Sequence, residues 1–252
     1  MGVMKIRHLL SKKWEIAIAV AAATLIAGSI FLLWIASLQL PDLSSFETRL
    51  ISQSTKIYDR TGTVLLYDIN QGIRRTVVKS ADISVNIKNA AVAIEDAEFY
   101  QHHGIKVTAI IRAVFANFIS GGYTQGGSTI TQQVIKNALL TSKKSIARKL
   151  KEWILALKLE KVMTKDEILT TYLNEAPYGG STYGVEGAAV SFFGKRASEV
   201  SLVEAAYLAA LPNAPTYYSP YGGNKTALEK RKNLVLDQML NNSFITKEDY
   251  DV

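Results

Sequence analysis

The side chains of this chain that could do chemistry sit in three polar clusters. The first is Glu95-Asp96-Ala97-Glu98-Phe99-Tyr100-Gln101-His102-His103-Gly104, which follows the apolar run Ala90 to Ile94. A carboxylate that emerges from an apolar helix end is well placed to act as a general base, and Glu95 is the first candidate. Asp96 beside it would orient Glu95 or bond backbone amides, with His102 and Gly104 shaping the turn. The plainer reading is a helix C-terminus carrying ordinary solvated acids.

The second cluster is Gly126-Gly127-Ser128-Thr129-Ile130-Thr131-Gln132-Gln133-Val134-Ile135-Lys136-Asn137. Its glycines open the N-terminus of a helix, where free amide groups bind anions. Thr129, Gln132, Gln133, Lys136 and Asn137 fall three and four apart, so several share a face. A stripe of amides with one lysine suits a pyrophosphate or a sugar better than a solvated face, which would favour Glu and Lys pairs. The third cluster is Arg148-Lys149-Leu150-Lys151-Glu152. Arg148 and Glu152 are four apart, a spacing common on any exposed helix. Beside a phosphate site Arg148 gains a second use as a bidentate ligand. Taken together, two glutamates, several cations and a row of amides are the parts needed to move a sugar off a phosphate.

These parts need elements to hold them. Ile16 to Leu40 has no charged residue and ends near Trp14 and Trp34, so a transmembrane helix is expected over 16–40. Lys5, Arg7, Lys12 and Lys13 precede it, while Asp42 and Glu47 follow. The positive-inside rule then leaves residues 1–15 as a cytoplasmic tail and puts the remainder outside. A cleaved signal peptide is the weaker alternative, because the apolar run is too long and no A-x-A site follows. The chain has no cysteine and only three histidines, so neither a disulfide framework nor a His-rich metal site is expected. The formal charge of +7 is carried partly before the anchor, which argues against nucleic acid as a partner.

Pro41 to Gln53 reads as a stalk. Thr55 to Ile69 alternates around Asp59-Arg60-Thr61-Gly62 and predicts a β-hairpin. Helices are expected near 87–99, 106–119, 127–140, 144–162, 165–174, 183–193, 199–210 and 225–240, with a connector over Thr76 to Asn86. Thr164 with Glu167 forms a capping box. Breaks fall at Gly121-Gly122, Pro177-Tyr178-Gly179-Gly180 and Pro212-Asn213-Ala214-Pro215. Residues 242–252 read as the start of a further helix in a truncated C-terminal extension.

The three clusters, in this order, resemble the family 51 peptidoglycan glycosyltransferases, the transglycosylase domain of class A penicillin-binding proteins and of monofunctional transglycosylases. EDAEFYQHHG is similar to the family's first motif, GGSTITQQVIKN to the second and RKLKE to the third. KDEILTTYLNEAPYG is similar to the fourth, and KRKNLVLDQM at Lys230 to Met239 to the fifth. The resemblance runs over about 54–241. Thr170 departs from it, since many members carry glutamate there.

The resemblance implies a mainly α fold: a lysozyme-like lobe, a small membrane-associated jaw at about 106–123, the hairpin and the N-terminal anchor. It implies a bacterial, single-pass protein of the cytoplasmic membrane whose catalytic domain is extracytoplasmic. The implied reaction polymerises lipid II into glycan strands with inversion and release of undecaprenyl diphosphate. Glu95 would be the base and Glu152 would orient the cations. Lys136, Arg148 and Lys149 would neutralise the diphosphate, while Asp96, Ser128, Thr129, Gln132, Gln133 and Asn137 would hold sugar and phosphate oxygens. No prosthetic group is implied; a divalent cation, magnesium or manganese, at the diphosphate is left open. Expected partners are lipid II, the growing lipid-linked chain, the membrane and other cell-wall synthesis or division proteins. The rival readings are a lysozyme-like hydrolase and a non-catalytic cell-wall scaffold.

Overall fold

A computed structural model describes residues 2–38, 55–61, 65–69, 74–109, 112, 127–140 and 145–251. The chain divides into two compact units, Met1–Pro41 and Asp42–Val252. The first unit holds α1 (Gly2–Ala36), in which Trp14–Ala36 is long and apolar enough to cross a membrane. Its 23 residues span about 34 Å at a rise of about 1.5 Å each, against a hydrocarbon core of about 30 Å. The two hydroxyls inside the span are satisfied within the helix. Thr24 donates to the Val20 carbonyl at 2.8 Å and Ser29 to the Leu25 carbonyl at 2.9 Å. In hydrocarbon each would otherwise be an unpaired polar group.

The second unit begins with the expected hairpin. β1 (Thr55–Tyr58) pairs antiparallel with β2 (Leu65–Ile69), with Thr55 opposite Ile69 and a bulge after Ile57. A small second sheet, not anticipated from the sequence, has the order β3-β5-β4. In it β3 (Arg74–Arg75) runs parallel to β5 (Thr182–Tyr183), which pairs antiparallel with β4 (Pro177–Gly179). Strands of two and three residues carry too little alternation to be read. The stalk, most of the expected jaw and the break at Gly121-Gly122 lie outside the described residues.

The remaining regular elements among the described residues are helical: α2 (Val85–Glu95), α3 (Ile130–Leu139), α4 (Ile146–Val162), α5 (Lys165–Glu175), α6 (Val185–Phe193), α7 (Leu202–Ala210), α8 (Lys225–Asn241) and α9 (Lys247–Asp251), with short 3-10 turns at Ser80–Asp82 and Ala197–Glu199. Ser84 stops the preceding connector by accepting from the Asn86 amide, so α2 starts at Val85. Full capping boxes start α5 at Thr164 and α7 at Ser201. The sequence predicts that α2 runs on to Phe99, but it ends at Glu95. The side chain of Asp96 turns away to accept from the Ile130 amide of α3 and to meet His102. That turn leaves Glu95 as the last residue of a buried helix.

Two packed groups form the core. In one, α2, α7 and α8 pack on one another. Ala90, Ala91, Val92 and Ala93 meet a helix that buries Ala205, Ala206, Ala209 and Ala210, while Leu228, Val235 and Met239 come from α8. Small side chains on both faces let helix axes approach closely. In the other, α3 packs on α4 and α5 through Ile130, Val134, Ile135, Leu155, Ile168 and Leu169. Each fully buried aliphatic side chain contributes on the order of 1.5–3 kcal/mol before conformational entropy is subtracted. The site lies where the two groups meet, at the end of α2.

Candidate active site

Glu95 is held from two sides. Gln133, on α3, donates its amide N–H to Oε2 of Glu95 at 2.6 Å. The other oxygen, Oε1, is buried and has no hydrogen-bond partner. Nη2 of Arg231, on α8, stands 3.8 Å from it, near enough for attraction and too far for a hydrogen bond. Two buried tyrosines, Tyr172 and Tyr178, lie within electrostatic reach of the same carboxylate. Burial first, and the Glu95 charge second, push both phenols far above their ordinary range, so they remain neutral. A carboxylate with one oxygen fixed and the other unpartnered is geometrically suited to accept a proton.

A cavity of about 530 Å³ opens on this carboxylate and is lined by Glu95, Ser128, Gln133, Lys136, Asn213, Arg231 and Gln238 among others. Lys136 projects from α3 one turn beyond Gln133. Burial pulls its pKa down, and the charges of Glu152 and Glu95 push it back up, against Lys149 and Arg148. A second cavity of about 260 Å³ shares Glu95, Ser128 and Gln238 with the first and adds Asp96, Lys106, Arg112 and Thr129. Glu95 therefore lines both spaces, and each has its own cations, Lys136 and Arg231 in one and Lys106 and Arg112 in the other.

The other predicted residues separate into layers. Lys149 donates to Ser128 Oγ at 2.7 Å and to Gln132 Oε1 at 3.1 Å, and it forms a short bond to Glu152. Glu152 is buried, with Arg148 at 3.9 Å and Lys149 around it, and lines neither cavity. Its charge anchors the cations from behind. Thr129 Oγ1 donates to the Gly104 carbonyl at 2.6 Å and accepts from the Gln132 amide, while Gln132 Nε2 reaches the same carbonyl at 3.3 Å. Their polar groups thus tie the first cluster to the second. The α3 terminus offered to an anion by the sequence is partly filled from within, because Asp96 and Thr129 accept from Ile130 and Gln132. Asn137 is exposed and lines neither cavity.

Comparison with known proteins decides the family. The Transglycosylase family model matches residues 62–240. The chain belongs to the transglycosylase family. It is 42% identical over 241 residues to penicillin-binding protein 1A of Aquifex aeolicus, covering 95% of this chain and 33% of that protein. It is 44% identical over 219 residues to the Clostridium perfringens protein of the same name, covering 84% of this chain and 32% of the relative. The chain thus spans about a third of the length of these relatives. Among solved structures it is similar to the crystal structure of penicillin-binding protein 1A from Haemophilus influenzae. The TM-score is 0.42 and the identity 26%, over 79% of this chain and 20% of that one.

Within this transglycosylase domain, the fifth motif contributes more than the sequence suggested. Arg231 and Gln238 line the larger cavity, and no site residue was expected from that stretch. Tyr172 and Tyr178, from the fourth motif, back the Glu95 carboxylate. In the sequence both are tyrosines within the fourth motif, which read equally as packing. The aromatic loop at Tyr217 to Tyr221 splits in two. The Tyr218 ring lies under the Arg231 guanidinium, at 5.5 Å, while Tyr221 is exposed and lines a separate groove with Phe192 and Phe193.

Proposed function

We propose that this transglycosylase polymerises lipid II into glycan strands, with inversion at the anomeric carbon and release of undecaprenyl diphosphate. The observation that carries the reading is the shared cavity of Glu95 and Lys136, a base with one unpartnered oxygen beside a desolvated cation. The growing strand, held on its lipid diphosphate, is the donor, and lipid II is the acceptor through a sugar hydroxyl. The hydroxyl oxygen attacks the anomeric carbon while its proton passes to Oε1 of Glu95. The bond from that carbon to the diphosphate oxygen breaks, and the electron pair leaves with the diphosphate. That leaving group needs neutralising more than protonating, and Lys136 supplies charge in a site of reduced water access. Lys149 and Arg148, anchored by buried Glu152, extend the positive field from behind Ser128.

Among the described residues no three of His, Asp and Glu gather into a metal-ligating cluster. Of the two carboxylates lining the cavities, Glu95 and Asp96, Asp96 is committed to His102 and Ile130. A magnesium or manganese ion carried in on the diphosphate would be held chiefly by phosphate oxygens and would add to the charge of Lys136. The helix Trp14–Ala36 supports a single-pass anchor that keeps the domain beside a lipid-borne substrate. The basic residues before it support a cytoplasmic N-terminus.

Glu95→Gln tests the reading in a lipid II assay. The expected result is loss of polymer and of released diphosphate with the melting temperature unchanged. Undiminished polymerisation would remove Glu95 as the base. Shortened glycan from isolated sacculi, with no polymer from lipid II, would point instead to a hydrolase.

A further inference from the structure

Arg231 lies in a charge run, Lys230-Arg231-Lys232, that any exposed helix could carry. In the fold it points inward, with 15% of its side chain exposed. Three contacts fix it. Nε donates to the Ala210 carbonyl at 3.1 Å, at the C-terminus of α7, where carbonyls lack helical partners. The guanidinium lies 5.5 Å from the Tyr218 ring centroid, within cation–π range. Nη2 is then left 3.8 Å from the unpartnered Oε1 of Glu95.

We propose that Arg231 is a positioning residue for the general base: tethered to Ala210 and Tyr218, it holds the Glu95 carboxylate in register without bonding the oxygen that must accept the proton. This rests on the reading of Glu95 as base. A cation at hydrogen-bond distance would occupy the lone pair that the reaction needs. A cation tied elsewhere attracts the carboxylate and leaves that lone pair open. Gln133 fixes Oε2 from α3 while Arg231 acts on Oε1 from α8, so the two packed groups of the core each hold one oxygen. Lysine has one nitrogen and cannot both bond Ala210 and face Glu95, whereas the branched guanidinium does both.

The test uses the full chain, with lipid II polymerisation rates expressed per folded molecule well below the melting temperature. Arg231→Gln is expected to lower kcat about 10–100-fold, the scale of a misplaced catalytic group, with KM within twofold. Arg231→Lys keeps the charge and is expected to recover part of kcat, again with KM unchanged. A role confined to bracing the end of α7 would lower the melting temperature and leave kcat per folded molecule at the wild-type value, which overturns the proposal. Should Arg231→Gln fail to fold, Arg231→Lys decides: a reduced kcat supports positioning, and a wild-type kcat refutes it. Glu95→Gln run alongside separates the two levels. If it still polymerises lipid II, the base assignment itself fails. If it is inactive while both Arg231 variants match wild type, only the positioning role fails.

Discussion

At the scale of single residues, the site depends on where charge is held and which atoms are left unbonded. Lys136 is the clearest case. Burial favours its neutral form, so it loses its proton at lower pH than an exposed lysine would, although Glu152 and Glu95 limit the effect. Neutralisation of the leaving diphosphate should therefore weaken early on the alkaline side. Lys136→Arg, charged at every accessible pH, is expected to carry kcat/KM to higher pH than wild type in a lipid II assay across pH 7–10. Lys136→Met should lose about 100-fold in kcat/KM at neutral pH, the scale of removing one preorganised charge contact. Glu95, Gln133 and Lys136 were legible in the sequence because their types are unusual for a helix end or face. Arg231 was not, because three adjacent cations look alike until the packing of α8 turns one of them inward. Thr129 and Gln132 were legible as polar residues, but only the fold shows their side chains bonded to Gly104.

At the scale of elements, most helices were legible from their period and caps, and the ends moved for local reasons. Thr164 and Glu167 announced the start of α5, whereas Asp96 ended α2 early because its side chain was wanted by α3. The β3-β5-β4 sheet was illegible because its strands are too short to show a pattern. Gly104 links these elements. It has φ +86°, and a Cβ there would come within 2.8 Å of the Ala156 carbonyl oxygen on α4. Its own carbonyl accepts from both Thr129 and Gln132. Gly104→Ala is therefore expected to cost at least about 2 kcal/mol, a fall of roughly 4–8 °C in Tm for a domain of this size. Calorimetry checks it. Thr164→Ala removes only a cap and should cost about 1 kcal/mol, with polymerisation per folded molecule unchanged, since Thr164 lines neither cavity.

At the scale of the whole molecule, the apolar helix Trp14–Ala36 suggests a membrane anchor, separate from the domain that does the chemistry. A chain lacking residues 1–38 is expected to raise KM for lipid II in vesicles by about tenfold or more, because the anchor's gain in effective concentration is lost. Turnover of a short-chain, water-soluble analogue should change little, and comparing the two substrates measures the difference. Asn174 carries a different kind of consequence. Its side-chain amide bonds both the N–H and the carbonyl of Val78, at 3.0 and 2.9 Å, across 96 positions of sequence. Nearby, β3 finds its only ladder among the described residues in β5. Because the chain is made from its N-terminus, the stretch around Val78 waits for its partner while nearly a hundred further residues are synthesised. The nascent domain stays open at that seam until Tyr183 has been made, so the seam is among the last parts of the fold to close.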